Sequence, residues 1–163
     1  MLVIADTTPL RYLVTLGQDG LLPVLFGQII IPPAVADELR HPKAPAAARA
    51  WIAAPPPGLQ IRPTSLQQDA ALLRRDTGER EALLLAQELR ADLVLADDRE
   101  ARAEAARRAL NAMGTLRVLE LAAERNLVDL PSVLTQLQDA RFYMTPEMVE
   151  ALLAHDAARK RTM

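Results

Sequence analysis

The sequence predicts an α/β fold, with a central parallel sheet and helices on both faces. Three observations predict it. Short apolar runs at residues 2–5, 28–31 and 93–96 alternate with longer segments of helical period. Those runs lack the polar alternation of a half-exposed strand, as befits strands covered on both faces. Half of the 163 residues are hydrophobic but only 3% are aromatic, so the core is built from Leu, Ala, Val and Ile. The length suits one domain with a sizeable core, and no interior linker divides it.

Residues 2–5 form the first strand, ending at Asp6. Thr8-Pro9 then reads as an N-cap with proline at the first helical position, opening a helix through Leu10, Tyr12, Leu13 and Leu16 to Gly17. A short apolar segment follows at 21–26. The β-branched run 28–31 is the second strand, and Pro33 opens a helix through Val35, Glu38 and Leu39. Residues 46–53 predict another helix, with Trp51 on its buried side, broken by Pro55-Pro56-Pro57-Gly58. Residues 59–62 predict a third strand, at an edge. Helices are expected at 67–75 and, more strongly, at 79–89. Residues 93–96 are a strand ended by Asp97-Asp98, followed by an Ala- and Arg-rich helix over 100–112. Gly114 turns the chain into a strand start at 115–118 and a helix at 119–125. Two final helices, at 131–141 and 146–159, carry apolar stripes that suit the domain core or a homodimer interface.

A net charge of −2 excludes a coat of positive charge, the usual footprint of tight non-specific nucleic-acid binding. It leaves room for a nuclease whose acidic pocket is filled by metal. The absence of cysteine excludes disulfides and thiolate metal sites. The opening Met-Leu-Val-Ile-Ala-Asp has no basic region, and no apolar stretch approaches a bilayer span, so a cytoplasmic protein without membrane association is expected. His41 and His155 are too far apart in sequence for a zinc motif and read as surface or packing residues. There is no Gly-rich phosphate loop.

In an open parallel sheet the active site lies beyond the carboxyl ends of the strands, which directs attention to acids there. Asp6 can cap the following helix or serve a site. Glu38 lies on the second helix, a quarter-turn from a solvent-facing Asp37. Glu81 lies nearer than Glu79 to the buried stripe of its helix and is the preferred acid there. Asp97 and Asp98 together exceed what one helix cap needs, so one of them is surplus. Carboxylates gathered this way repel unless a cation sits among them, and oxygen-only ligands suit Mg²⁺ or Mn²⁺.

The segments around these acids resemble the PIN domain. Val3-Ile4-Ala5-Asp6-Thr7-Thr8-Pro9-Leu10 is similar to its opening motif, Ile31-Pro32-Pro33-Ala34-Val35-Ala36-Asp37-Glu38-Leu39 to its second, Gly78-Glu79-Arg80-Glu81-Ala82 to its third and Leu93-Val94-Leu95-Ala96-Asp97-Asp98 to its fourth. The tail Ala140-Arg141-Phe142-Tyr143-Met144 resembles a bacterial subgroup related to VapC-like toxins. The resemblance implies a Rossmann-like sheet and a metal-dependent endoribonuclease, the toxin of a type II toxin–antitoxin pair, with a small antitoxin and a homodimer or higher homo-oligomer as partners. It implies Asp6, Glu38, Glu81 and Asp97 as catalytic metal ligands. Asp98 is a further ligand candidate, because the double acid permits a one-residue shift. Thr8 would support the first acid or a bound water through its hydroxyl. Arg11, Arg99 and Arg102 are candidates to meet RNA phosphate.

Three rivals compete with this reading: a catalytically inactive binding or regulatory protein on the same fold, an acid-pocket phosphotransfer domain, and a purely interaction-driven role. The phosphotransfer reading wants an acid pair, or Asp-x-Asp, at the first strand, where this chain has Asp6-Thr7-Thr8.

Overall fold

Val3, Ile4 and Ala5 are all fully buried. Successive strand residues point to opposite faces, so this run is covered on both sides and takes the centre of the sheet. The computed structural model describes residues 1–67 and 69–163. In it, β1 (Val3–Ala5) lies between β2 (Ile29–Ile31) and β4 (Leu93–Leu95). Leu59–Ile61 forms β3 at one edge and Ala112–Met113 forms β5 at the other. All pairings are parallel, in the order β3-β2-β1-β4-β5. The predicted fold class and the edge position of the third strand both hold.

The connecting helices are α1 (Thr7–Thr15), α2 (Leu21–Phe26), α3 (Pro33–Arg40), α4 (Ala46–Ala53), α5 (Thr77–Leu89) and α6 (Arg99–Arg107). Leu10 and Leu13, Val35 and Leu39, and Ala82 and Leu85 recur at helical spacing and are all buried. Pro33 stands at the start of α3, where its missing N–H costs nothing.

Several predicted elements differ. The helix at 67–75 reduces to a single 3₁₀ turn, Ala70–Leu72, with only Leu72 buried; Gln68 lies outside the described residues. The helix after Asp98 stops at Arg107, not at 112. Ala109 adopts a left-handed φ of 59°, and the N–H of Leu110 donates to the Ala105 carbonyl at 2.8 Å, closing the helix end. That turn frees Ala112 and Met113 to pair with Val94 and Leu95, a strand too short to announce itself in sequence. Residues 115–118, expected to begin as a strand, open α7 (Thr115–Glu124). Helix α1 starts at Thr7, one residue before the predicted cap, with Asp6 at the N-cap position.

The chain separates into two compact units, Met1–Thr115 and Leu116–Met163. The first holds the sheet. In the second, α8 (Leu130–Asp139) packs with α9 (Pro146–Arg161). Leu130, Val133, Leu134 and Leu137 of α8 are buried, whereas the one buried residue of α9 is Asp156. Among the described residues no helix is long and apolar enough to cross a membrane.

Candidate metal centre

The register of the sheet places the first acid. Ala5 pairs with Leu95, so Asp6 and Asp97 both leave the sheet at the carboxyl ends of neighbouring strands. The N–H of Asp6 donates to the Leu95 carbonyl at 2.8 Å, which fixes where β1 stops. Asp6 holds the N-cap position of α1, but its side chain makes no cap bond. Its carboxylate instead turns inward, 5% exposed, and Oδ1 has no hydrogen-bond partner among the described residues. A buried, unpartnered carboxylate oxygen is rare in folded proteins and calls for an explanation.

Two more carboxylates gather around it. Glu38, on the last turn of α3, and Asp76, just before α5, each offer an oxygen within 4.8 Å of the others and of Asp6. Glu38 is held from two sides: it accepts from the hydroxyl of Thr7 and, through Oε1, from the N–H of Gly78 at 3.2 Å. The approach depends on glycine, because a Cβ at position 78 would lie 2.6 Å from Glu38 Oε1. Asp76 caps α5, accepting from the N–H of Glu79 at 2.8 Å.

Burial drives the Asp6 carboxyl up to about 8; the Thr7 N–H opposes this, and the negative charges of Asp76, Glu79 and Glu38 add to it. Glu79 rises to about 7, first through burial and then through Asp76 and Asp98, with Arg75 pulling the other way. These acids share one field, and it is a field that a cation would relieve.

Glu81 sits differently from expectation. Its Oε2 accepts from the N–H of Ala34 at 3.1 Å, at the start of α3. Glu38 of α3 meanwhile accepts from Gly78 at the start of α5. The two antiparallel helices therefore cap each other's first turns, each lending an acid to the other's unpaired N–H groups. The α5 acid coupled to Asp6 is Glu79, which the sequence reading passed over in favour of Glu81.

The Asp97-Asp98 pair also divides its work. Asp98 caps α6, with Oδ2 accepting from the N–H of Ala101 at 2.9 Å, and it pairs with Arg75. Asp97 is the surplus acid, and Thr115 grips it at both oxygens: the backbone N–H donates to Oδ1 and the hydroxyl to Oδ2, each at 2.6 Å. Burial raises its pKa, and the Thr115 bonds and Arg102 oppose the shift. Gly114 makes room, since a Cβ there would lie 2.9 Å from Asp97 Oδ1.

Of the two hydroxyls that follow Asp6, that of Thr7 donates to Glu38 of the cluster. Arg102 donates through Nη1 to the carbonyls of Ala96 and Asp97, at 3.2 and 2.5 Å, so that nitrogen braces the end of β4. Arg11 lies over the Tyr12 ring at 5.1 Å, and Arg99 is exposed on the first turn of α6. Asp37 is solvent-facing, as expected. Asp76 was missed because a residue before a helix reads as a cap, and here it is a cap as well.

A second grouping in the other unit, Glu120, Glu124 and His155, looks like a metal site but is already neutralised. Arg117 pairs with Glu120 at 3.0 Å and with Glu124 at 2.9 Å. The first cluster fits a divalent cation better. It offers only oxygens, one of them orphaned and buried, which is the donor set of Mg²⁺ or Mn²⁺.

Comparison with known proteins supports the architecture. Residues 2–157 match a family model described as a PIN domain, generally a nuclease fold that uses divalent metals. A solved PilT N-terminus domain protein from the hyperthermophilic archaeon Sulfolobus solfataricus shares the fold at 16% identity, with a TM-score of 0.51, over 72% of this chain and 90% of that one. Among curated proteins none matches.

Proposed function

This chain belongs to the PIN-domain family, and from that premise we propose that it is a metal-dependent endoribonuclease hydrolysing RNA phosphodiester bonds. The observation that carries the reading is the buried Asp6 carboxylate, whose Oδ1 has no donor among the described residues and which lies beside the further acids Glu38 and Asp76. Asp6, Glu38 and Asp76 would hold Mg²⁺ or Mn²⁺. When bound, such an ion supplies a water of lowered pKa and offsets charge gathering on the scissile phosphate.

The remaining acids take separate parts. Asp97, immobilised by Thr115, borders the site at the neighbouring strand end. Glu79, raised to about 7, is suited to hold or release a proton at its carboxyl near neutral pH. Glu81 keeps α3 in place, and through it Glu38. Asp98 secures α6. Thr8, half-buried beside Thr7, is available to orient a water at the pocket's edge.

We extend the reading to a toxin of a type II toxin–antitoxin pair, with one PIN domain spanning the chain. A small antitoxin would quench the acid pocket with a basic side chain. The apolar residues that α9 leaves half-buried, Leu152 and Leu153, favour association between copies.

The test is cleavage of single-stranded RNA with Mn²⁺, comparing the unaltered chain with Asp6→Asn. The substitution should reduce cleavage at least about 10²-fold, given that losing only an outer partner of a ligand costs 10- to 100-fold. Circular dichroism should show the fold retained. Full activity in Asp6→Asn, or metal-independent cleavage by the unaltered chain, overturns the reading.

A further inference from the structure

Resting on the nuclease reading above, we infer that Arg75 is the residue that grips the RNA phosphate at this site. It immediately precedes Asp76 of the acid cluster, and its positive charge is felt by Glu79. Its side chain is only 14% exposed. Nη1 makes both of its ion pairs, to Asp98 at 3.1 Å and to Glu100 at 3.3 Å. Its Nε–H is buried and has no acceptor among the described residues.

That arrangement is incomplete. A guanidinium presents N–H groups along adjacent edges of one plane, matched to the paired oxygens of a phosphate or carboxylate. Arg75 spends one nitrogen on two carboxylates that are 46% and 81% exposed, while its buried nitrogen goes unserved. Exposed ion pairs contribute little and exchange readily, whereas an unpaired buried donor is costly. Asp98 keeps its Ala101 cap bond whether or not Arg75 stays. Nε is covered while the pairs to Asp98 and Glu100 hold; once the guanidinium turns off them, the two non-bridging oxygens of a phosphodiester would serve Nε and a terminal nitrogen together.

Charge argues the same way. An RNA strand entering a pocket of carboxylates needs a cation from the protein besides any bound metal, or the backbone is repelled. The three arginines that the sequence suggested are placed differently: Arg102 is committed to two carbonyls, Arg11 lies over Tyr12, and Arg99 stands exposed in solvent. Arg75 joins a partly buried position, unused donor capacity and adjacency to the cluster. Its resting pairs with Asp98 and Glu100 hold the guanidinium at the rim until phosphate replaces them.

The test uses the full chain and the variants Arg75→Lys and Arg75→Gln. Binding of a short fluorescein-labelled single-stranded RNA is followed by anisotropy with Ca²⁺ in place of Mn²⁺, and kcat and KM are measured with Mn²⁺. Melting temperature and calorimetric Mn²⁺ binding are recorded alongside. Lysine keeps the charge and the pairing with Asp98 but loses the fork. It should weaken RNA binding and raise KM about tenfold, as expected for losing a charge-assisted hydrogen bond. Glutamine should weaken both further. Mn²⁺ binding and, for Arg75→Lys, melting should match the unaltered chain. Unchanged RNA affinity in both variants, or losses that only track melting, overturn the assignment. RNA cleavage that is insensitive to Arg75 would sink this inference alone. Arg75-dependent binding without any cleavage would sink the nuclease reading and leave the phosphate grip standing. Neither binding nor cleavage would end both.

Discussion

Asp6 and Asp156 each expose only 5% of their surface, but Asp6 lies far deeper in the fold than Asp156, and the protein treats them in opposite ways. Asp156, in the middle of α9, is answered from its own helix. Arg159 donates at 2.8 Å and Lys160 at 2.7 Å, and these bonds overcome the upward push of burial to hold the carboxyl below its ordinary range. Asp6 has acids for neighbours, an oxygen without a donor among the described residues, and a carboxyl raised to about 8. Glu104, buried on α6, follows the Asp156 pattern with Arg107 and Arg108. Where a buried acid serves only the fold, this chain places a cation within a helical turn. The cluster at the strand ends departs from that habit, and the proposed metal site rests on that departure.

The comparison is broken most directly through pH. Folded, metal-free protein keeps a proton on Asp6 up to about pH 8, whereas the unfolded chain releases it near 3.9. The folded state binds the extra proton between those values, so stability must fall as pH rises through that window. Urea denaturation in EDTA should show a loss on the order of a few kcal/mol from pH 5 to pH 8. Asp6→Asn should reduce that slope, leaving the smaller contributions of Glu79 and Asp97, and Mn²⁺ should restore stability most at the alkaline end. A metal-free protein equally stable at both pH values would remove Asp6 from its special place. Asp156 contributes the opposite slope: its stabilisation is present at neutral pH and fades as pH falls through its lowered pKa.

A smaller effect sharpens the picture at the cluster's edge. Gly78→Ala would drive a methyl against the Glu38 carboxylate, 2.6 Å from Oε1. Cleavage should drop about 10- to 100-fold, the usual scale for disturbing a metal ligand's support, with the calorimetric affinity for Mn²⁺ falling in parallel. Normal metal affinity in this variant would separate Glu38 from the cation. The smallest effect belongs to the paired acid. Asp156→Asn should cost about 1–2 kcal/mol, as for other charge-assisted bonds near the surface, and leave cleavage per folded molecule unchanged.

Much of this was legible in the residues. Strands buried on both faces leave uninterrupted aliphatic runs, so β1, β2 and β4 stood out, together with the acids after β1 and β4. Proline at the start of α3 and the apolar stripe of α5 fixed those helices. The reading failed where local pattern and tertiary pairing part. Ala112 and Met113 become a strand only because β4 offers an open edge. Residues 67–75 contain enough Leu and Ala for a helix, yet only Leu72 finds a buried place. The choice between Glu79 and Glu81 turned on which helix packs against α5 and in which direction. Periodicity along one helix carries no such information. Asp76 was hidden because it is a helix cap as well, and nothing in a sequence tells a plain cap from a cap that also lies beside two other carboxylates.

The crossed bonds between Glu38 and Gly78 and between Glu81 and Ala34 tie the pocket to the ends of two helices. Fraying the first turn of α5 withdraws the amide that steadies Glu38, and fraying α3 loosens Glu38 at its root. Local melting of the first turn of α5 would release Glu38 from its Gly78 amide, and an ion seated on Glu38 would favour the completed turn.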